Sequence, residues 1–132
     1  MIATSPPSAE LSDAWIEGDA SARWRSAAGA VGEGSGTSVL EVEPGRRLPR
    51  HTDSAEKAVV VVSGTASITV GDRTCEVAAG GVALVPECVP HEVRCAGSET
   101  LRFVAVYAAA DVTTTYENDV QPDGGRERDP LG

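Results

Sequence analysis

From Ser38 onward the sequence is a succession of short runs rich in Val, Ile, Leu and Thr, broken by Gly and Pro at regular intervals. That punctuation is the signature of an all-β sandwich or barrel and leaves no room for a helix of ordinary length. The spacing predicts strands over Ser38–Glu43, Ala58–Ser63, Ala66–Val70, Thr74–Val77, Gly81–Val85, Glu92–Cys95 and Leu101–Tyr107. Gly71-Asp72-Arg73 joins two of these runs tightly and predicts an antiparallel hairpin. Residues 1–36, polar and rich in Ser, Ala and Pro at their start, read as an N-terminal arm with a first edge segment; residues 37–110 read as the barrel. Residues 111–132 read as a polar, mobile tail outside it. Trp15 and Trp24 are apolar surfaces large enough to dock part of the arm, and the glycines at 32, 34 and 36 read as a flexible connection.

A chain of 132 residues is one domain by size. Its 41% hydrophobic residues suffice for a core, but with only 4% aromatic that core is expected to consist of Val, Leu, Ile and Ala. A net charge of −9 repels phosphate backbones and anionic lipid, so nucleic acid and membrane are poor partners. The first ten residues lack the basic start and apolar stretch of a secretory signal, which points to a cytoplasmic protein. Cys75, Cys88 and Cys95 form no Cys-x-x-Cys pair and read as small buried hydrophobes rather than as a disulfide framework or a thiolate zinc site.

The chain has two histidines, each in a distinctive setting. His51 follows Gly45 and Pro49 and precedes Asp53, Glu56, Lys57 and Gly64; His91 follows Gly80, Pro86, Cys88 and Pro90. These stretches resemble the paired motifs of the cupin superfamily, G-x5-H-x-H-x3,4-E-x6-G and G-x5-P-x-G-x2-H-x3-N. Gly45, His51 and Gly64 match the first, and Gly80, Pro86 and His91 the second. Asp53 stands where the family has a second histidine, Lys57 where it has glutamate (with Glu56 one residue early), Cys88 where it has glycine and Cys95 where it has asparagine. The resemblance implies a jelly-roll, or double-stranded β-helix, barrel and a metal site.

Strand parity independently puts His51 and Asp53 on one face, with His91 arriving from a neighbouring strand. Two imidazoles and a carboxylate suit a divalent ion, Fe(II) first, with Zn or Mn also compatible. The competing reading is a metal-free, hydrogen-bonded polar cluster. In normal register Lys57 points inward with Asp53, whereas a bulge would turn Glu56 inward instead; the inward member is the candidate catalytic group. Arg102, downstream of His91, resembles the arginine of 2-oxoglutarate-dependent oxygenases, which share this fold, and is a candidate substrate-binding residue. In the alternation Leu101-Arg102-Phe103 it otherwise faces solvent. Arg46, Arg47 and Arg50 either steer an anion toward His51 or form ordinary surface. Two functions follow: a metal-dependent enzyme of oxygenase, isomerase, lyase or cyclase type acting on a small organic molecule, or a barrel that binds a ligand without turnover. Pairing of an exposed sheet edge would make either a homodimer.

Overall fold

The structure, a computed structural model, describes residues 1–132. Its thirteen strands are β1 Ser12–Ile16, β2 Asp19–Val31, β3 Gly36–Val42, β4 Arg47–Asp53, β5 Lys57–Ser63, β6 Thr65–Val70, β7 Arg73–Ala78, β8 Val82–Val85, β9 His91–Cys95, β10 Leu101–Tyr107, β11 Thr114–Tyr116, β12 Val120–Gln121 and β13 Glu127–Arg128. A 3-10 turn at Ser8–Glu10 is the only helical element, and no helix is long and apolar enough to cross a membrane. The strand order β7-β6-β9-β4-β2-β3-β10-β5-β8 rolls into two opposed faces, an all-β jelly-roll barrel. The β6–β7 hairpin forms in the expected place, Thr69 paired with Thr74.

Alternation fills the interior. Leu101, Phe103, Ala105 and Tyr107 of β10 point inward with Val59 and Val61 of β5 and Val93 and Cys95 of β9, while the intervening residues face out. Aromatic residues are few, yet Trp24, Phe103, Tyr107 and Tyr116 are all buried, so the core is more aromatic than composition implies. Of the cysteines only Cys95 is buried; Cys75 and Cys88 are exposed, because Cys75 lies on the solvent-facing strand β7 and Cys88 in a turn.

The chain ends differ from an arm and a free tail. β2 lies in the sheet, Ser26 opposite Leu40 of β3, with Trp24 in the core. β11 pairs with β4, and Leu131 packs in the core against Gly36, where a Cβ would come within 2.7 Å of the Leu131 side chain. The physical reason is that Ala22 and Trp24 between Arg23 and Arg25, and Thr114 and Tyr116 around Thr115, alternate in burial without the β-branched apolar residues that mark a strand in sequence.

Candidate metal centre

β4 brings two chemistry-bearing residues inward because its pairing with β9 is irregular between Leu48 and His51. The bulge lets Leu48, His51 and Asp53 all face the interior although strict alternation would separate Leu48 from the other two. His91 opens β9 directly opposite His51, their ring centroids 4.1 Å apart. On the other side of β4, Tyr116 is paired with His51 and Thr114 with Asp53. Three adjacent strands therefore converge on one point, and the nitrogen and oxygen donors of His51, Asp53 and His91 all lie within 4.8 Å of one another.

Each imidazole is oriented by its backbone. His51 Nδ1–H donates to Pro49 O at 2.7 Å and His91 Nδ1–H donates to Val89 O at 2.8 Å. A carbonyl only accepts, so both Nδ1 atoms carry the proton and both Nε2 lone pairs are free to face inward. Thr114 Oγ1 donates to Asp53 Oδ1 at 2.6 Å, turning Oδ2 toward the histidines. Asp53 Oδ2 and His91 Nε2 are 3.1 Å apart and both buried; the Lys57 ammonium holds Oδ2, while His91 Nε2 has no hydrogen-bond partner. A lone pair facing a carboxylate oxygen at that distance is repulsive, and a cation placed between the two relieves it. That unpartnered nitrogen, with a second neutral-nitrogen donor and one carboxylate, fits a divalent cation.

Between Glu56 and Lys57 the structure selects Lys57. Parity continues without a bulge through Asp53, Ala55 and Lys57, all buried, and leaves Glu56 exposed. Lys57 Nζ lies 2.8 Å from Asp53 Oδ2 and 3.3 Å from His51 Nε2, and 5.7 Å from the Tyr107 ring centre. Burial, then the charge of Lys57, holds the His51 imidazole well below its usual pKa. Burial alone would raise the Asp53 carboxyl, but the Lys57 ammonium paired with it outweighs burial and keeps Asp53 far below the ordinary carboxylate range. Burial lowers Lys57 while Asp53 opposes the shift. Burial, reinforced by Asp53, raises the Tyr107 and Tyr116 phenols, so both stay protonated at neutral pH.

A cavity of about 290 Å³ opens onto this cluster, its polar wall formed by Ser38, His51, Lys57, Tyr107 and Tyr116 and its apolar wall by Trp24 and Leu40. Tyr116 stacks on Trp24 at 5.2 Å and meets the His51 ring at a tilt, 5.1 Å between centres, tying the apolar wall to the donors. Arg128, Asp129 and Pro130 also line it, so the C-terminal segment forms part of its mouth. Thr114 and Tyr116, assigned from sequence to the tail, belong to this site; Tyr107 shares the parity of Phe103 and Ala105 and was findable by it.

Arg102 is on the outer face. Its guanidinium donates to Glu41 Oε2 and to Pro6 O, both at 2.6 Å, on the opposite side of β10 from the cavity-lining Tyr107. This placement removes it from the substrate-binding set. Arg47 pairs with Asp19 and Glu92, Arg50 with Glu117, and Arg46 donates to Ala20 O, so the basic cluster is engaged in surface contacts.

Comparison with known proteins agrees with this architecture. A family model described as a cupin domain matches residues 38–107. Among solved structures, a conserved protein of unknown function from Streptococcus pyogenes superimposes with a TM-score of 0.58 at 24% identity, covering 65% of this chain and 74% of that one. Oxalate decarboxylase from Lactobacillus farciminis, solved with formate, gives 0.69 at 19% identity over 83% of this chain and 34% of that one. The Bacillus subtilis oxalate decarboxylase, studied for its Mn(II) centres, gives 0.66 at 22% over 79% and 30%. The chain thus spans about a third of the decarboxylases' length, and at these identities the likeness is one of fold. No curated protein sequence matches it.

Proposed function

This chain belongs to the cupin family, and from that premise we propose that it is a metal-dependent enzyme acting on a small organic molecule held in the barrel. The observation that carries the reading is the convergence of His51 Nε2, Asp53 Oδ2 and His91 Nε2, the last buried without a partner, beside a cavity that His51 and Lys57 line. A divalent ion there, Fe(II), Mn(II) or Zn(II), supplies Lewis acidity and open positions for substrate oxygens. The protein's own groups do the rest. Tyr107 and Tyr116, kept protonated, donate to substrate oxygens; Lys57 offers an ammonium to an anionic group; Trp24 and Leu40 exclude water from the apolar end. The small cavity, at the low end of the ~300–1,000 Å³ usual for ligand sites, restricts the substrate to a compact molecule.

A second reading, a barrel that binds its ligand without turnover, is favoured by one observation: a cation already stands beside the donors in the form of Lys57. Elemental analysis of protein purified without added metal, with absorbance recorded anaerobically and in air, tests the two. Stoichiometric iron, manganese or zinc supports the enzyme; a metal-free protein that also fails to take up added Fe(II), Mn(II) or Zn(II) overturns it.

For assembly we infer a homodimer through the outer face of β10, β5 and β8. Val104, Val60 and Val82 align there in register, as do Val106, Ala58 and Leu84, with Val62, Val82 and Leu84 more than half exposed. Light scattering should return twice the chain mass, and Leu84→Glu should return the monomer.

A further inference from the structure

The position that the family motif gives to glutamate holds a lysine here, and its amine is within hydrogen-bond distance of two of the three donors. An ion within the ~2.0–2.2 Å ligand distance of both Asp53 Oδ2 and His51 Nε2, which are 3.8 Å apart, would lie within about 3.5 Å of Lys57 Nζ. The side chains of His51, Asp53 and Lys57 are each at most 2% exposed, so solvent screens that spot little. Two cations so close in a buried, weakly screened site repel strongly, and Asp53 is the only carboxylate among the donors.

We propose that Lys57 is a tethered counter-cation: its ammonium and a divalent metal exclude one another at the donors of His51, Asp53 and His91. In the metal-free protein Lys57 neutralises Asp53. When an ion binds, the ammonium withdraws into the cavity that Lys57 lines, where Ser38 Oγ, buried without a hydrogen-bond partner, offers an acceptor. Lys57 thus sets how tightly the site holds metal, and it makes the wild-type chain a weaker metal binder than its donor set alone would be. The inference rests on the three donors forming a cation site, and it concerns the regulation of that site.

The test is calorimetric titration of the full chain with Mn(II), beside thermal melts with and without Mn(II), for wild type, Lys57→Met, Lys57→Gln and the double variant Lys57→Met/His91→Ala. Lys57→Gln keeps hydrogen-bonding capacity and serves if the methionine variant does not fold. Removing the ammonium should tighten Mn(II) binding at least tenfold. Without metal the variant should melt below wild type, because Asp53 is then a buried charge without a partner, and Mn(II) should raise its melting temperature by more than it raises that of wild type. His91→Ala should abolish the gain. Equal or weaker Mn(II) binding by the Lys57 variants, with binding still dependent on His91, overturns the counter-cation role while the triad stands. Absence of binding in every protein overturns the triad, and the counter-cation role with it.

Discussion

Asp53 and Glu41 are both nearly inaccessible carboxylates on neighbouring parts of one barrel, and the chain surrounds them in opposite ways. Glu41 lies on the outer face between Arg25 of β2 and Arg102 of β10, each opposite it in the sheet. It accepts from Ser8 Oγ and Arg102 Nη1, both at 2.6 Å, with Arg25 at 3.7 Å. Every charged group in that row has a counterpart, and the N-terminal segment is pinned by it. Around Asp53 the pairing is incomplete: Lys57 holds the carboxylate, but His91 Nε2 beside it remains without a partner inside the barrel. A satisfied cluster staples a structure. One that leaves a buried donor atom unpartnered has capacity for a ligand.

Breaking the two clusters should separate these roles. The largest effect belongs to Asp53→Ala, which strands the Lys57 ammonium in the interior: about 3–5 kcal/mol of stability should be lost in chemical denaturation, together with Mn(II) binding.

Acidification comes next. His51 is held neutral by burial, so the unfolded chain binds more protons than the folded one below about pH 6.5, and stability should fall by up to about 1.4 kcal/mol per pH unit there. Both carboxyls are depressed in the fold, so they add losses of the same sign below about pH 4. Denaturation midpoints measured in chelator across this range should keep the upper slope in Glu41→Gln and lose it in His51→Gln.

His91→Ala should lower Mn(II) affinity at least tenfold, about 1.4 kcal/mol, as read by calorimetry. Glu41→Gln should cost about 1 kcal/mol of stability and leave Mn(II) affinity unchanged. The smallest effect is a gain. Cys88 occupies a left-handed turn with φ 60°, the conformation that the family's glycine adopts without strain, so Cys88→Gly should stabilise by up to about 1 kcal/mol without changing metal affinity.

The barrel's middle was readable because β5 to β10 are short apolar or β-branched runs closed by turn residues, and Gly45, Gly64 and Gly80 of the motifs all take positive φ. The triad was readable from spacing, and the inward Lys57 from parity. Three things were hidden. β2 and β11 earn their places through long-range pairing that no local pattern announces, which left Trp24, Thr114 and Tyr116 unconnected to the site. Arg102 carried a motif-like position but the outward parity of its strand. The exposure of Cys75 and Cys88 follows from a solvent-facing hairpin strand and a turn, which residue type alone does not reveal.

The turn at Cys88 also offers a way of watching the centre. Its amide donates to the carbonyl of Asp53 at 2.8 Å, so its backbone is coupled to a donor residue while its thiol faces water. With Cys75 replaced by serine and Cys95 shielded in the core, a thiol-reactive fluorophore would attach at one site only. The protein would then carry an optical gauge whose response to added Mn(II) reads, in real time, whether an ion enters beside Lys57.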